Sequence, residues 1–252
     1  MIKLKRPSKP QVLVDNEVNW KNNLMALVGK YKEYKKIPEK EKEAAVKHYR
    51  HSDIKEALRK SSFDKCVFCE GIPGNTGFAE IEHFYPKCDY TEKTFEWDNL
   101  LYSCKQCNNS KLSHDTMREP IINPYETEPH GIFTYTDIMI YAADGPHKEA
   151  AKKTIEVCGL ADSRLFNIRA NVLVSLRNFE SDIQEALSDY IKADTDRKRE
   201  GRIRKINKAL VKINELVQPQ SQLSAYCRHF LDNSSVYKEA KEIVDDFVKK
   251  NC

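Results

Sequence analysis

The chain of 252 residues has a formal net charge of +4 at pH 7, with 40% hydrophobic and 32% charged residues. This composition is typical of a globular protein with one large domain or two modest domains. No segment approaches the roughly 18 consecutive apolar residues of a membrane-spanning helix. The N-terminal MIKLKRPSKPQ has charges and prolines where a secretory signal has an apolar stretch. We therefore expect a cytoplasmic protein without a membrane partner.

Helical spacing of apolar residues predicts three N-terminal helices behind an extended arm. The prolines within residues 1–14 predict that arm, and apolar residues then recur at helical spacing from Val18 to Lys36. Residues 39–50 predict a second helix. Ser52 is a candidate N-cap for a short third helix over residues 54–60.

The central segment, residues 66–135, shows no long helical period and contains four of the eight glycines and five of the ten prolines. Helical spacing returns at Lys148, in a helix that is expected to end at Gly159. Further helices are predicted from Asp162 to the C-terminal end, with breaks near Gly201 and Pro219.

These elements predict a mainly α protein with a small α+β insert. We divide it into an N-terminal arm with helices (residues 1–64), a central core (residues 65–131) and a C-terminal helical bundle (residues 132–252). Residues 66–131 have five basic and eleven acidic residues, while residues 1–65 have 17 basic and nine acidic residues. An acidic centre between basic flanks suits a site that gathers a cation.

The cysteines indicate a metal rather than disulfides, because the cytosol keeps thiols reduced. Four of the eight cysteines form two CxxC pairs, Cys66/Cys69 and Cys104/Cys107. Two such pairs supply the four thiolates of a tetrahedral structural zinc site. A thiol–disulfide oxidoreductase would instead use one CxxC motif at the start of a helix. We therefore predict structural Zn²⁺.

The segment between the two pairs carries residues suited to phosphodiester hydrolysis. Glu82 and His83 are followed by Asn99, and Asn108 directly follows the last cysteine of the second pair. Histidine suits the base that activates water, because its pKa is near neutral. Carboxylate and amide oxygens suit a hard cation such as Mg²⁺. Glu80, two residues before Glu82, is an alternative carboxylate on the same strand face.

The order CxxC, EHxxP, NLL and CxxCNxxK resembles the HNH endonucleases of the ββα-metal class that carry a four-cysteine zinc. The resemblance implies a ββα-metal (HNH) core held by that zinc. It implies His83 as the general base, Asn99 as the residue that orients the hairpin, and Lys111 as a residue that faces the phosphate. Glu82 and Asn108 would be the ligands of a catalytic Mg²⁺ or Mn²⁺. Glu82 replaces the more frequent Asp and Asn108 replaces His, which leaves the preferred cation open.

The resemblance extends to the HNH proteins, PtuB-like in name, of Septu and retron-associated antiphage systems. It rests on MIKLKRPSKPQVL with Trp20, on INP at Ile122–Pro124, and on TIEVCGL at Thr154–Leu160. It implies a defence effector that works with a separate ABC/SMC-like ATPase subunit. A retron reverse transcriptase and its DNA–RNA product are further implied partners. The chain itself has no Gly-rich phosphate loop.

Two basic clusters are candidates for contact with nucleic acid. Lys3, Lys5 and Arg6 lie in the N-terminal arm, where they could contact backbone phosphate. A second cluster of Arg and Lys surrounds Gly201, and for this cluster a solvated helix face is the favoured interpretation.

Three functions remain in competition. DNA is the favoured substrate of a nuclease, and RNA such as tRNA is the alternative with the same site, since nothing in the sequence separates the two. The third hypothesis is a non-catalytic zinc module that binds nucleic acid or a partner.

Overall fold

The computed structural model describes residues 1–74 and 78–251, apart from the side chain of Asn251. The chain forms two units. The first contains residues 1–133 and 140–162, and the second contains residues 134–139 and the chain from residue 163 onward. The segments predicted as the N-terminal helices and as the central core both lie in the first unit. The segment predicted as the C-terminal bundle is divided between the two units.

Three helices form the N-terminal part of the first unit: α1 (Gln11–Tyr31), α2 (Glu39–Val46) and α3 (Ser52–Ser61). The predicted start of α1 at Val18 was wrong, because Pro10 already acts as the N-cap and its carbonyl oxygen accepts the N–H groups of Leu13 and Val14. The cap predicted at Ser52 was also wrong. His51 fills that position, and its ring nitrogen accepts the N–H of Asp53 at 3.2 Å.

A two-stranded antiparallel sheet follows, made of β1 (Ala79–His83) and β2 (Leu100–Cys104). In its register, Glu82 lies opposite Leu101 and His83 lies opposite Leu100. Helix α4 (Lys105–Lys111) begins directly after β2 and packs against both strands. All five residues of β2 are buried, so the sheet lies inside the unit rather than at its surface.

A second small sheet consists of β3 (Phe133–Thr136) and β4 (Met139–Ala142). Helix α5 (Lys148–Val157) follows it. Gly159, one residue beyond the C-cap of α5, has a left-handed φ of 62°. This confirms the helix end predicted there, since glycine adopts that conformation without steric cost.

The second unit contains α6 (Ser163–Ile191), α7 (Asp196–Glu215), α8 (Ser224–Asn233) and α9 (Ser235–Asn251). Apolar side chains of α6, α7, α8 and α9 form one core, which includes Leu176, Ile206 and Val244. The break predicted near Gly201 was wrong, because α7 runs through that residue. The interruption between α6 and α7 lies before Asp196 instead. Thr195 caps the helix there by accepting the N–H of Lys198.

The mainly helical class with small two-stranded sheets is confirmed. Within residues 1–74 and 78–251, no helix combines the length and the apolar character needed to cross a membrane.

Candidate functional site

The four cysteines of the two CxxC pairs come together in the first unit. Their sulfur atoms all lie within 4.8 Å of one another, and all four side chains are buried. Cys66 and Cys69 lie in the loop after α3, Cys104 ends β2, and Cys107 lies in the first turn of α4. The predicted convergence of these cysteines is confirmed.

The spacing of the sulfur atoms fits a tetrahedral zinc ion. The Sγ atoms of Cys69 and Cys104 are 3.9 Å apart. Zn–S bonds of about 2.3 Å place the sulfurs of a tetrahedron about 3.8 Å apart, while a disulfide needs about 2.0 Å. Hydrogen bonds from the neighbouring thiols lower the pKa of Cys104, which favours the thiolate form that binds a metal. The four cysteines could therefore hold a zinc ion.

A buried ion-pair cluster closes the loop that carries the first CxxC pair. Glu70, directly after Cys69, lies 2.6 Å from the α-amino group of Met1 and 3.0 Å from Nζ of Lys65, directly before Cys66. The side chains of Lys65 and Glu70 are only 2% and 4% exposed. This cluster was not predicted from the sequence, although the opposite charges of Lys65 and Glu70 on the two sides of the CxxC pair were an available signal.

His83, the last residue of β1, is buried and held in a defined tautomer. Its Nε2 lies 2.9 Å from the carbonyl oxygen of Thr94, and the ring meets Tyr49 edge-on with centroids 4.6 Å apart. A carbonyl oxygen can only accept, so Nε2 carries the proton and Nδ1 keeps its lone pair. Burial, followed by the positive charge of Lys87, lowers the pKa of His83 to about 3. The imidazole is therefore neutral at physiological pH.

Glu82 is paired with Lys111 of α4. Nζ of Lys111 donates to Oε1 of Glu82 at 2.7 Å and to the backbone oxygen of His83 at 2.8 Å. Burial raises the pKa of Glu82, and the Lys111 charge opposes that rise. The side chain of Lys111 is 0% exposed. The structure thus turns Lys111 inward to the carboxylate instead of toward a phosphate, because a buried carboxylate needs a cation beside it.

Asn108 is oriented by Glu80. The Asn108 amide nitrogen donates to Oε2 of Glu80 at 2.6 Å. Because a carboxylate only accepts, this contact fixes the amide with Nδ2 toward Glu80 and Oδ1 on the opposite side. Glu80 therefore acts on the side chain of Asn108, a contact that its strand position alone did not predict.

Asn99 holds together the two ends of the segment that joins β1 to β2. Its Oδ1 accepts the N–H of Tyr85 at 2.7 Å, and its Nδ2 donates to the backbone oxygens of Tyr85 and Lys93 at 3.1 and 2.9 Å. Its own backbone oxygen accepts the N–H of Phe84 at 2.9 Å. The segment after His83 is thereby tied to the start of β2.

One open cavity of about 400 Å³ brings the predicted residues together. Glu82, His83 and Asn108 line it, and Lys87 is a further lining residue. Lys111 and Asn99 lie behind these residues and are not part of the lining. The site therefore combines a neutral imidazole, a carboxylate and an amide beside a four-cysteine cluster.

The basic N-terminal arm packs against the same unit. The guanidinium of Arg6 donates to the backbone oxygens of Trp97, Asp98 and Leu100 and lies 3.7 Å from the centroid of the Tyr125 ring. Burial lowers the pKa of Arg6. The guanidinium of Arg6 is therefore bound to the backbone of its own unit, whereas the sequence predicted that it contacts nucleic acid.

Lys3 and Lys5 are exposed. Nζ of Lys3 donates to the backbone oxygen of Tyr125 at 3.1 Å, and Lys5 lines a separate cavity together with Asp53 and Glu56. Their contact with nucleic acid stays a prediction.

The fold and the site define a mainly helical protein in which four cysteines that could hold a metal ion lie in the same unit as a cavity lined by a histidine, a carboxylate and an amide. No protein-family model matches the chain. The chain is similar to a protein named Septu protein PtuB from Bacillus thuringiensis, at 29% identity over 97% of this chain and 87% of that protein. It is also similar to a Septu protein PtuB from Bacillus mycoides (strain KBAB4), at 27% identity over 75% of this chain and 72% of that protein.

Proposed function

We propose that this protein is a metal-dependent HNH-type endonuclease. The observation that carries the proposal is the cavity lined by His83, Glu82 and Asn108. Glu82 and His83 lie on β1, and Asn108 lies on α4 directly after Cys107 of the four-cysteine cluster. The order of strand, strand and helix, with the histidine at the end of β1 and the amide on α4, is the arrangement that the ββα-metal resemblance implies.

His83 supplies the base in this proposal. Its Nδ1 lone pair takes a proton from the attacking water, and the bond from Nε2–H to the Thr94 carbonyl oxygen stabilises the imidazolium that results. Burial and Lys87 oppose that charge. A phosphate anion in the cavity acts in the other direction and raises the pKa of His83.

Glu82 and Asn108 are the residues that would hold a divalent cation. The donor set fits Mg²⁺ or Mn²⁺, because both residues offer oxygen atoms and line the same cavity. When bound, such a cation neutralises charge on the scissile phosphate and the leaving oxygen. Glu80 keeps the Asn108 amide oriented, and the Lys111 charge opposes the rise that burial causes in the pKa of Glu82. Asn99 is the residue that orients the connection between the strands.

The proposed biological role is that of an antiphage effector. The similarity to two Septu PtuB proteins over most of the chain supports a function within a Septu defence system. The proposed partners are an ABC/SMC-like ATPase subunit and, in a retron-associated system, the reverse transcriptase with its DNA–RNA product. DNA is the favoured substrate and tRNA is the second candidate.

Cleavage assays with a matched histidine control test the proposal. The purified, zinc-loaded chain is incubated with plasmid DNA and with total tRNA, with Mg²⁺ or Mn²⁺, with and without the ATPase subunit of a Septu system. We expect cleavage by the wild type and its loss in His83→Ala at unchanged zinc content. The control is His130→Ala, which changes an exposed histidine outside the cavity and should retain activity.

Two results would contradict the enzyme hypothesis. Cleavage that persists in His83→Ala would remove the proposed base. No cleavage of either polymer, with zinc in place and the ATPase subunit bound, would favour the non-catalytic zinc module.

A further inference from the structure

The positive charge of the second unit is concentrated on one helix. Helix α7 (Asp196–Glu215) contains eight basic and three acidic residues, whereas the remainder of the second unit contains nine basic and eleven acidic residues. A helix that only needed a solvated face could have used charges of both signs, as α9 does with its four acidic and four basic residues.

The basic residues of α7 form a stripe on the face opposite the core. Ile203, Ile206, Leu210 and Ile213 are buried against the other helices of the unit. Successive residues of a helix are rotated by 100°, so the opposite face carries a different set. The members of this basic stripe are all exposed: Arg197, Arg204, Lys205, Lys208 and Lys212. Fifteen residues separate its ends, a length of about 22 Å along the helix axis.

Among the residues that the structure describes, most of the stripe has no acidic partner. In the described part of the chain, Arg197, Lys205, Lys208 and Lys212 have no carboxylate within 4.0 Å, and Arg204 has Glu200 only at 3.8 Å. Basic residues at the edges of this face behave differently. Lys198 pairs with Asp194 at 2.8 Å, and Arg202 pairs with Asp189 at 3.1 Å. The cations left without partners are therefore those that point away from the core.

Gly201 lies on the same face, one turn after Arg197 and one turn before Lys205. It is exposed, and a Cβ atom built on it would meet nothing within 4 Å. A glycine inside a helix costs roughly 1 kcal/mol relative to alanine. Neither the helix nor the core of the unit requires it. It leaves a flat position in the stripe where another molecule can approach the helix backbone.

We propose that the basic stripe of α7 contacts the phosphate backbone of a nucleic acid, without reading its sequence. Lys and Arg contacts to phosphate supply sequence-independent affinity. The length of the stripe matches the axial rise of about six base pairs of a duplex, at about 3.4 Å each. An anionic membrane is a poorer match, because the apolar side of an interfacial helix must enter the lipid and the apolar side of α7 is buried in the core.

Fluorescence anisotropy with the full-length, zinc-loaded chain tests the proposal. The probes are single-stranded DNA, double-stranded DNA and single-stranded RNA of one sequence, titrated over a salt series without added divalent cation. The His83→Ala background prevents cleavage from complicating the titration. The test variant combines Lys205→Gln, Lys208→Gln and Lys212→Gln. The control combines Lys238→Gln, Lys241→Gln and Lys249→Gln, which removes the same charge from exposed positions of α9.

We expect the test variant to bind at least ~10-fold more weakly at about 50 mM salt. Its plot of log K against log salt should be less steep than that of the wild type by about 2 to 3, because each phosphate contact contributes about 0.9. The control should keep the wild-type slope. Binding is measured separately from cleavage, so the test of the basic stripe remains valid even if the proposed nuclease function is wrong.

Three outcomes would overturn the proposal. The first is an equal loss in the test and control variants, which would reflect net charge alone. The second is no binding of the wild type to any of the three polymers. The third is unchanged nucleic-acid binding by the test variant together with lost binding to phosphatidylserine vesicles, which would assign the stripe to a lipid surface.

Discussion

Nζ of Lys111 lies 2.7 Å from Oε1 of Glu82, and both side chains are buried. This ion pair joins the last turn of α4, which follows the second CxxC pair, to β1, the strand that ends in His83. One turn earlier, Asn108 makes the corresponding contact with Glu80 at 2.6 Å. Residues 108 and 111 share one helix face, and residues 80 and 82 share one strand face. Helix α4 is therefore set against β1 by two polar contacts in matching register.

The first prediction concerns the loss of the Lys111 ammonium. Lys111→Met should lower the free energy of unfolding by about 3–5 kcal/mol, because it removes the ammonium that pairs directly with the buried Glu82 carboxylate. Glu82→Gln combined with Lys111→Met should recover part of that loss, because the double variant buries no net charge. Urea denaturation of the zinc-loaded proteins measures both effects. Lys105→Met, at an exposed position of the same helix, is the control. Strictly additive effects of the two substitutions would show that the pair is not coupled.

The second prediction concerns the orientation of Asn108. Glu80→Ala should weaken Mn²⁺ binding by about 10-fold or more, since residues that orient a metal ligand affect affinity by that amount. Glu80→Gln should be milder, because its amide oxygen can still accept from Asn108. Electron paramagnetic resonance of free Mn²⁺ during titration gives the affinity, and zinc content shows that the cluster is intact. Asp98→Ala, which removes a carboxylate that is 88% exposed, should bind Mn²⁺ as the wild type does. Equal affinity of Glu80→Ala and the wild type would exclude a positioning role.

The sequence predicted the convergence of the cysteines and the approximate place of the hairpin, but not the direction of the long side chains around them. Two CxxC pairs can bind one metal only if the segment between them folds back and brings the pairs together. The spacing of the cysteines in the sequence is therefore enough to predict their convergence. Lys111 and Arg6 are different. Each side chain has four or more rotatable bonds and can reach many possible partners. The partner it finally contacts is a buried group that needs a cation or a hydrogen-bond donor. That partner lies 29 residues away in the sequence for Lys111 and about 90 residues away for Arg6. Only the folded chain determines such partners.

Two helix boundaries were mistaken for related reasons. Glycine is a frequent helix breaker, yet Gly201 lies within α7 because the apolar residues Ile203 and Ile206 keep one face of the helix in the core. The prolines within residues 1–14 indicated an extended arm, yet Pro10 is the N-cap of α1, which begins at Gln11. In both places tertiary burial or a cap outweighed local propensity.

The third prediction concerns the ion-pair cluster beside the first CxxC pair. Glu70→Gln should destabilise the protein by about 3 kcal/mol, because it removes the carboxylate charge that pairs with the buried amine of Met1 and the buried ammonium of Lys65. A looser loop should also release zinc to a chromogenic chelator faster than the wild type. Glu56→Gln changes a carboxylate that is 44% exposed and serves as the control. If the two variants release zinc at the same rate, the cluster does not support the metal site.

The fourth prediction concerns the alkaline stability of the second unit. Burial raises the pKa of Tyr226 to about 12, and its hydroxyl donates to the backbone oxygen of Asp137 at 2.8 Å. The folded state therefore keeps this proton at a pH where the unfolded state, with a pKa of about 10, has lost it. The stabilisation is fully present below pH 10 and is lost as the pH rises from about 10 to 12.

Tyr226→Phe removes the group that titrates, so its stability should fall less steeply than that of the wild type between about pH 10 and 12, the range from the ordinary tyrosine pKa to the raised pKa of Tyr226. At neutral pH the variant should be less stable by about 1 kcal/mol for the missing hydrogen bond. Tyr141→Phe, at a tyrosine that is 45% exposed, should follow the wild-type profile. Guanidinium denaturation at each pH gives the comparison. Parallel profiles for Tyr226→Phe and the wild type would show that this hydroxyl does not titrate in that range.

The fifth prediction uses Gly201 to test the continuity of α7. Gly201→Ala should stabilise the protein by about 0.4–1 kcal/mol, because alanine restricts the unfolded chain and is favoured inside a helix. The added methyl group meets no atom within 4 Å and the residue lacks a positive φ, so no steric cost opposes this gain. Gly131→Ala is the opposite case, since its φ of 78° strains any residue with a Cβ atom and the variant should be less stable. Thermal denaturation of both variants shows whether each substitution raises or lowers the stability. A destabilised Gly201→Ala protein would mean that the chain breaks at residue 201 and that the basic stripe is not continuous.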